Sequence, residues 1–276
     1  MRPSLLPKAM PTTRTALSNP LNKSTLLTSC SSTYYQVYRA VPSDRIVAQD
    51  DLLVFEDENC MVSYNLWSEG GSIGFRIYNK TGSNIYLNLE ESFFVLNGIS
   101  NDYYKNRVYT NSMNSGSTSL RNATTISPVI AASKTVVTSS GYSVSFIEEK
   151  IVCIPSKTSK IISEYKINET LFRDCDLFKY PTKNQITPLI FSKEESPFVF
   201  SNRIAYCVGL TSDLIRFENE FYVTEIINIP ESEMFKSKYD EYCNQKMITM
   251  TKYFKDVAPD KFYIKYLRPQ YDSWLH

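Results

Sequence analysis

Histidine is nearly absent: the single copy, His276, is the last residue of a 276-residue chain. That argues against a Ser-His-Asp triad, a Cys-His dyad and a histidine-ligated zinc. No two of the six cysteines (Cys30, Cys60, Cys153, Cys175, Cys207 and Cys243) form a Cys-x-x-Cys pair, so a thiolate metal site lacks its usual spacing. Their wide, irregular intervals favour buried free thiols over a disulfide framework, although disulfides stay open. Glycine is scarce, with 8 copies, and the formal net charge is only +1. There is therefore no global field to draw in nucleic acid or anionic lipid, and no nucleic-acid partner is expected. No apolar run of signal-peptide length occurs in residues 1–25. No EF-hand pattern surrounds Asp174-Cys175-Asp176, the one stretch that offers two carboxylates to a hard cation. We read that stretch as a solvated loop, and expect neither metal nor cofactor.

What is present points to β-structure. Hydrophobic residues make up 42% of the chain, with 20 Tyr and 15 Phe, enough for a large core and well suited to sheet surfaces. The most ordered stretch runs from Cys60 to Gly98. Val62, Tyr64 and Leu66 alternate with Met61, Ser63 and Asn65, and Ile73, Phe75 and Ile77 and then Ile85, Leu87 and Leu89 repeat the two-residue period. Glu69-Gly70-Gly71-Ser72 and Lys80-Thr81-Gly82-Ser83-Asn84 read as the turns of two successive hairpins, and Asn97-Gly98 as another turn. Further strands are expected at 34–40, 52–56, 93–96, 142–146, 150–155, 159–167, 189–191, 198–200, 203–208 and 216–227, and 262–267 reads as a last strand or a packed tail. Many short strands separated by turn signals suggest a mostly β fold, an immunoglobulin-like β-sandwich. Residues 110–145 are rich in Ser, Thr and Asn and read as a long insertion.

After Pro230 the period changes. Phe235, Tyr239, Cys243, Met247, Met250, Phe254 and Val257 recur at three- and four-residue steps, which predicts one stripe of a C-terminal helix that packs on its own domain. The expected organisation is a disordered tail over 1–32, a sandwich over 33–229 and a packed helix and tail over 230–276.

Leu27-Thr28-Ser29-Cys30 resembles the lipobox of bacterial lipoproteins, whose cysteine carries the lipid after cleavage. The resemblance implies lipidation of Cys30 and a membrane-anchored protein of the cell envelope; the competing expectation is a cytoplasmic protein with a ragged N-terminus. Tyr34-Tyr35-Gln36-Val37-Tyr38, Leu53-Val54-Phe55-Glu56-Asp57 and the run from Asn65 to Gly98 resemble uncharacterised lipoproteins common in Bacteroidota, over roughly residues 27–230. That family has no assigned activity, so the resemblance implies compartment and fold, and supplies no catalytic residue.

The leading functional expectation is a non-enzymatic envelope lipoprotein that binds or scaffolds a partner protein. An alternative is glycan binding through exposed Tyr103, Tyr104 and Tyr109, aromatics with a polar tip; cross-strand packing competes with it. A third is a carboxylate hydrolase built on Glu90-Glu91 or on Glu218 and Glu220, which are otherwise the wet face of a strand. Asn22, Asn79, Asn122 and Asn168 each begin an Asn-x-Ser/Thr triplet, read as chance matches in a chain rich in these residues.

Overall fold

A computed structural model describes residues 32–116, 139–209, 213–243 and 245–269, without side chains for 109–116 and 139–146. The lipobox-like segment and the middle of the expected insertion lie outside the described residues. The strands are β1 (Thr33–Pro42), β2 (Ile46–Gln49), β3 (Leu52–Glu56), β4 (Cys60–Tyr64), β5 (Phe75–Asn79) and β6 (Ile85–Asn88). There follow β7 (Phe93–Leu96), β8 (Ile99–Asp102), β9 (Val108–Gly116), β10 (Ser139–Ile147), β11 (Ile151–Ile154) and β12 (Ser159–Ile162). The last six are β13 (Leu189–Ile190), β14 (Val199–Val208), β15 (Ile215–Pro230), β16 (Phe235–Tyr242), β17 (Gln245–Phe254) and β18 (Lys261–Leu267). Among the described residues, helix is confined to a 3₁₀ turn at Lys183–Gln185 and the four-residue α1 (Glu231–Met234).

Nine strands form one antiparallel sheet around the path β11-β6-β14-β15-β1-β18, and five form a second in the order β12-β5-β4-β3-β2. The two sheets turn their apolar rows toward a shared core. Leu53, Phe55, Val62, Tyr64, Phe75 and Ile77 come from the smaller sheet, and Tyr38, Leu87, Phe200, Tyr206, Phe217 and Phe221 from the larger. Rings meet across the gap: Phe55 stacks on Phe217 at 4.6 Å between centroids, and Tyr64 meets Phe221 edge-on at 5.3 Å. Such contacts add specificity to the burial that drives the packing. The core carries polar groups too, and among the described residues they are paired except for Asn219 Oδ1, which is buried without a partner. Asn219 Nδ2 donates to Tyr64 Oη at 2.8 Å, Asn202 Nδ2 to the Ile73 carbonyl at 2.9 Å, and Tyr103 Oη to Asn202 Oδ1 at 2.7 Å.

The alternating strands form as expected, but two of the expected hairpin turns are something else. Strands β4 and β5 do pair, with Tyr64 opposite Phe75, yet the connection between them is long. Its Gly70-Gly71 pair runs inward, where the Gly70 amide donates to the Tyr263 carbonyl of β18 and the Gly70 carbonyl accepts from the amides of Ile167 and Asn168. The 80–84 segment does not fold β6 back on β5; it carries the chain from the smaller sheet to the larger. Asn97-Gly98 behaves as expected: both residues have positive φ, 48° and 81°, and join β7 to β8 in a two-residue hairpin.

The stub after Asn79 has a twin after Asn168. In Asn79-Lys80-Thr81, the Asn79 Oδ1 accepts from both the amide and the hydroxyl of Thr81, each at 2.8 Å, and Nδ2 reaches the carbonyls of Ser83 and Ile154. In Asn168-Glu169-Thr170, the Asn168 Oδ1 takes the amide and hydroxyl of Thr170, and Nδ2 reaches Tyr38 Oη at 3.2 Å. Both asparagines are buried. Two of the four Asn-x-Ser/Thr triplets are thus structural turns, in which a short amide closes the loop and plugs the core.

The expected C-terminal helix is replaced by a β-ribbon. A helix does open directly after Pro230, but it ends at Met234, and β16 and β17 then pair antiparallel, with Phe235 opposite Phe254 and Tyr239 opposite Met250. The three- and four-residue spacing fits a helix, but it also fits pairs brought together across a hairpin. Ile248, Thr249, Thr251 and Tyr253 are β-formers, and they decide for the strand. Packing on the domain is limited to the root: Phe235 and Phe254 join Tyr35, Val37, Met234, Trp67 and Tyr263 in a second small cluster. The expected boundary at 229/230 falls inside one sheet, because β18 runs along β1 from Thr33–Leu267 to Arg39–Lys261.

Candidate functional site

The residues singled out by the sequence do not converge. Cys30 lies outside the described residues, as does the side chain of Tyr109. Tyr103 is buried, its ring edge-on to Phe75 at 5.9 Å and its hydroxyl donated to Asn202, which leaves no face for a ligand to stack on. Burial pushes its hydroxyl pKa well above the ordinary value. Tyr104 is half-buried, donates to Asn106 Oδ1 at 2.8 Å and lies under the Lys150 ammonium, 5.3 Å from the ring centroid. The expected sugar platform is therefore not formed by this pair: neighbouring residues of the Tyr-Tyr doublet serve core and surface respectively.

The carboxylates are each engaged by a base. Glu90 pairs with Lys150 at 2.9 Å, Glu91 with Arg216 at 3.1 Å and Glu218 with Arg203 at 3.1 Å, while Glu220 pairs with Lys193. Asp174 accepts from the Asp176 amide at 2.9 Å in a local turn. Among the described residues no three His, Cys, Asp or Glu side chains cluster as a metal site would require. Among the described residues five cysteines are free; of these Cys60 is buried, Cys153 and Cys207 are half-buried, and Cys175 and Cys243 are exposed.

One cavity has the form of a ligand site. Leu171, Phe172, Leu177 and Tyr266 wall a space of about 200 Å³ whose floor is Gln36 and Asn228. The sequence reading missed both amides, although each interrupts an otherwise apolar inward row, Tyr34-Gln36-Tyr38 in β1 and Ile226-Asn228 in β15. Every floor atom is already spoken for. Gln36 Nε2 donates to the Phe172 carbonyl at 2.9 Å and to Asn228 Oδ1 at 3.0 Å, Gln36 Oε1 accepts from the Phe172 amide, and Asn228 Nδ2 donates to the Phe178 carbonyl. Ligand pockets usually enclose about 300–1,000 Å³ and offer convergent unused polar groups. This one is smaller and its amides staple the 171–178 segment to the sheet, so it reads as structural.

A second network fixes the ribbon formed by β9 and β10. Glu148 Oε2 accepts from the amides of Lys105 and Arg107 at 2.8 and 3.1 Å, and Arg107 forks between Glu148 and Glu164, with Nη1 2.6 Å from Glu164 Oε1. The pair Arg107–Glu148 stands just outside the ribbon's first rung, Val108 opposite Ile147. Burial opposes the ionisation of Glu148 and Glu164, but hydrogen bonds from Arg107 outweigh it and both carboxyls titrate below the ordinary 4.5. Depressed carboxylates stabilise the fold above the unfolded value and cease to do so as pH falls through the folded one. Arg107→Ala should therefore cost about 1–2 kcal/mol at neutral pH, since charge-assisted bonds on a half-buried network are partly screened. It should also speed proteolysis within residues 110–145 several-fold. The gap in melting temperature between variant and wild type should close below pH 4.5; a gap that persists unchanged in acid would rule out the carboxylates as its source.

The remaining feature is the ribbon β16–β17. Directly opposed residues share a face of a two-stranded ribbon, and so do alternate residues along one strand. Phe235, Tyr239, Ile248, Met250 and Phe254 thus form one apolar face, which begins in the buried root and runs out into solvent: Met250 is 54% exposed and Ile248 99%. The opposite face carries Lys236, Lys238 and Asp240, and the hydroxyls of Thr251, Thr249 and Tyr253 bond Asp240 and hold its carboxyl below the ordinary value. No third strand pairs with the ribbon among the described residues. A two-stranded ribbon is marginal alone in water, and this one spends its apolar side chains outside the core.

No family model, no curated protein and no solved structure matches the chain. Among the described residues, no helix is long and apolar enough to cross a membrane.

Proposed function

We propose that this protein is a non-catalytic binding module of the cell envelope, tethered to the membrane through a lipid on Cys30 and engaging its partner through the ribbon β16–β17. The observation that carries the reading is the apolar ribbon face, on which Tyr239, Ile248 and Met250 lie exposed beyond the core of their own domain. Residues held in water this way contribute little to folding, and exposed apolar patches on soluble domains commonly mark interaction sites. The immunoglobulin-like description suits two facing antiparallel sheets; it suits less well a single sheet of nine strands, since a variable-type domain has about nine in total.

The tether is tested in cells that express the protein from its own locus. Labelled fatty acid should enter the wild-type protein and be lost in Cys30→Ala. Equal labelling of the two, or of neither, rejects the lipoprotein reading.

A further inference from the structure

We propose that the partner of the ribbon β16–β17 is an anionic lipid surface, into which its apolar face docks; the proposal deepens the preceding one and rests on the envelope placement argued there. Three observations carry it.

The first is position. Strand β1 begins at Thr33 beside the end of β15, with Tyr34 opposite Pro230, and the Ser32 carbonyl accepts from the Arg268 amide. Two residues, Ser31 and Ser32, lie between Cys30 and Thr33, a reach of at most about 10 Å. A lipid on Cys30 therefore holds a bilayer against the end of the domain from which the ribbon departs, since only the four-residue α1 lies between Pro230 and Phe235. Strand β17 has ten residues, about 33 Å of extended chain, long enough to lie along that surface.

The second is charge. The ribbon, residues 235–254, holds four lysines (Lys236, Lys238, Lys246 and Lys252) against Asp240 and Glu241, a local +2. The whole chain carries +1, so the rest of it sums to −1. Lys252 and Lys255 lean on Glu231 and Glu233 at 3.2 and 3.6 Å, and Lys246 stands opposite Glu241. Lys236 and Lys238, on the opposite face of the ribbon, have no carboxylate partner among the described residues. Basic groups held within a Debye length of an anionic surface are attracted to it, whatever the net charge of the protein.

The third is the make-up of the apolar face. It mixes Tyr239, Ile248 and Met250 with Lys246, Lys252 and Glu241 on the same side. A second copy packed face to face would bury those charged groups, at a desolvation cost. At a bilayer surface the ammonium groups can extend to the headgroups while their stems and the tyrosine ring stay in the apolar layer.

The test uses full-length protein carrying Cys30→Ser, so that no lipid is attached and only the ribbon can bind. It should co-sediment with vesicles of equimolar phosphatidylglycerol and phosphatidylcholine, and weakly with phosphatidylcholine alone. The pair Ile248→Asp, Met250→Asp should lower the partition coefficient by at least about tenfold. The pair Lys236→Glu, Lys238→Glu should abolish the preference for anionic vesicles. Both variants should melt as the parent does, because the altered side chains lie outside the core. Absence of sedimentation with the parent, equal sedimentation of the Asp pair, or a vesicle-independent dimer that the Asp pair dissolves would each overturn the proposal. Failure of the tether is read separately, from fatty-acid labelling of Cys30.

Discussion

Phe221→Ala should remove about 3–5 kcal/mol of unfolding free energy, the range for truncating a fully buried aromatic. Phe221 is 0% exposed, at the centre of β15. Its ring stacks on Phe200 of β14 at 5.4 Å and 12°, and meets Tyr64 of the opposite sheet at 5.3 Å and 74°. The cavity left by the substitution would open between the two sheets, where neighbours on paired strands cannot collapse into it without breaking register. Domains of this size have about 5–15 kcal/mol in total, so the variant should sit close to the folding threshold. Urea denaturation followed by tyrosine fluorescence measures the change, and Phe221→Leu, which keeps most of the volume, should cost far less. A loss below about 1 kcal/mol for the alanine would mean that the two sheets do not share this contact.

Gly71→Ala should cost about 2–5 kcal/mol, the combined effect of a left-handed backbone and overpacking. Gly71 has φ of 72°, and a Cβ there would lie 2.8 Å from both Ile167 Cδ1 and Phe262 Cγ. Phe262 cannot give way, because its ring lies flat on Tyr38 at 4.6 Å and 3°, and the Tyr38 hydroxyl is itself held within the buried amides. Two other glycines separate the contributions. Gly98→Ala meets nothing within 4 Å but keeps φ of 81°, and should show the backbone cost alone. Gly82→Ala meets nothing and needs no positive φ, and should stay within about 0.5 kcal/mol of wild type. If all three variants melt alike, the close packing around Gly71 is not present in solution.

Gly71 also illustrates how far the sequence could be read. The pair Gly70-Gly71 signals a tight hairpin turn, and what forms is a long inward-running connection from β4 to β5. Why glycine is needed at 71 depends on Phe262, far along the chain, and no local pattern announces that approach. The strands themselves were legible wherever one face is buried, as in β1, β4, β5 and β15, because a period of two is imposed by the pleat. Which strand joins which sheet was not legible: β5 and β6 are consecutive, similar in pattern, and lie in different sheets. The candidate site was half visible. Tyr239 and Met250 drew attention as members of an apolar stripe, but steps of three and four residues describe a helix and a folded-back hairpin equally well. Tyr103 and Tyr104 were indistinguishable by composition, and only the tertiary fold sends the first to Asn202 inside the core and leaves the second half-buried at its edge, bonded to Asn106.

The paired turns at Asn79-Lys80-Thr81 and Asn168-Glu169-Thr170 bear on where the protein can be made. Their asparagine amides are buried only after β11, Tyr38 and the neighbouring loops have come together around them. In a eukaryotic secretory pathway an oligosaccharide is added to such triplets on the nascent chain, ahead of that assembly. A sugar on Nδ2 would occupy the positions of the Ile154 carbonyl and the Tyr38 hydroxyl, and the loop could not close. The same two triplets that complete the core where no oligosaccharyltransferase acts make the chain ill suited to expression in yeast or mammalian secretory hosts, unless Thr81 and Thr170 are first replaced.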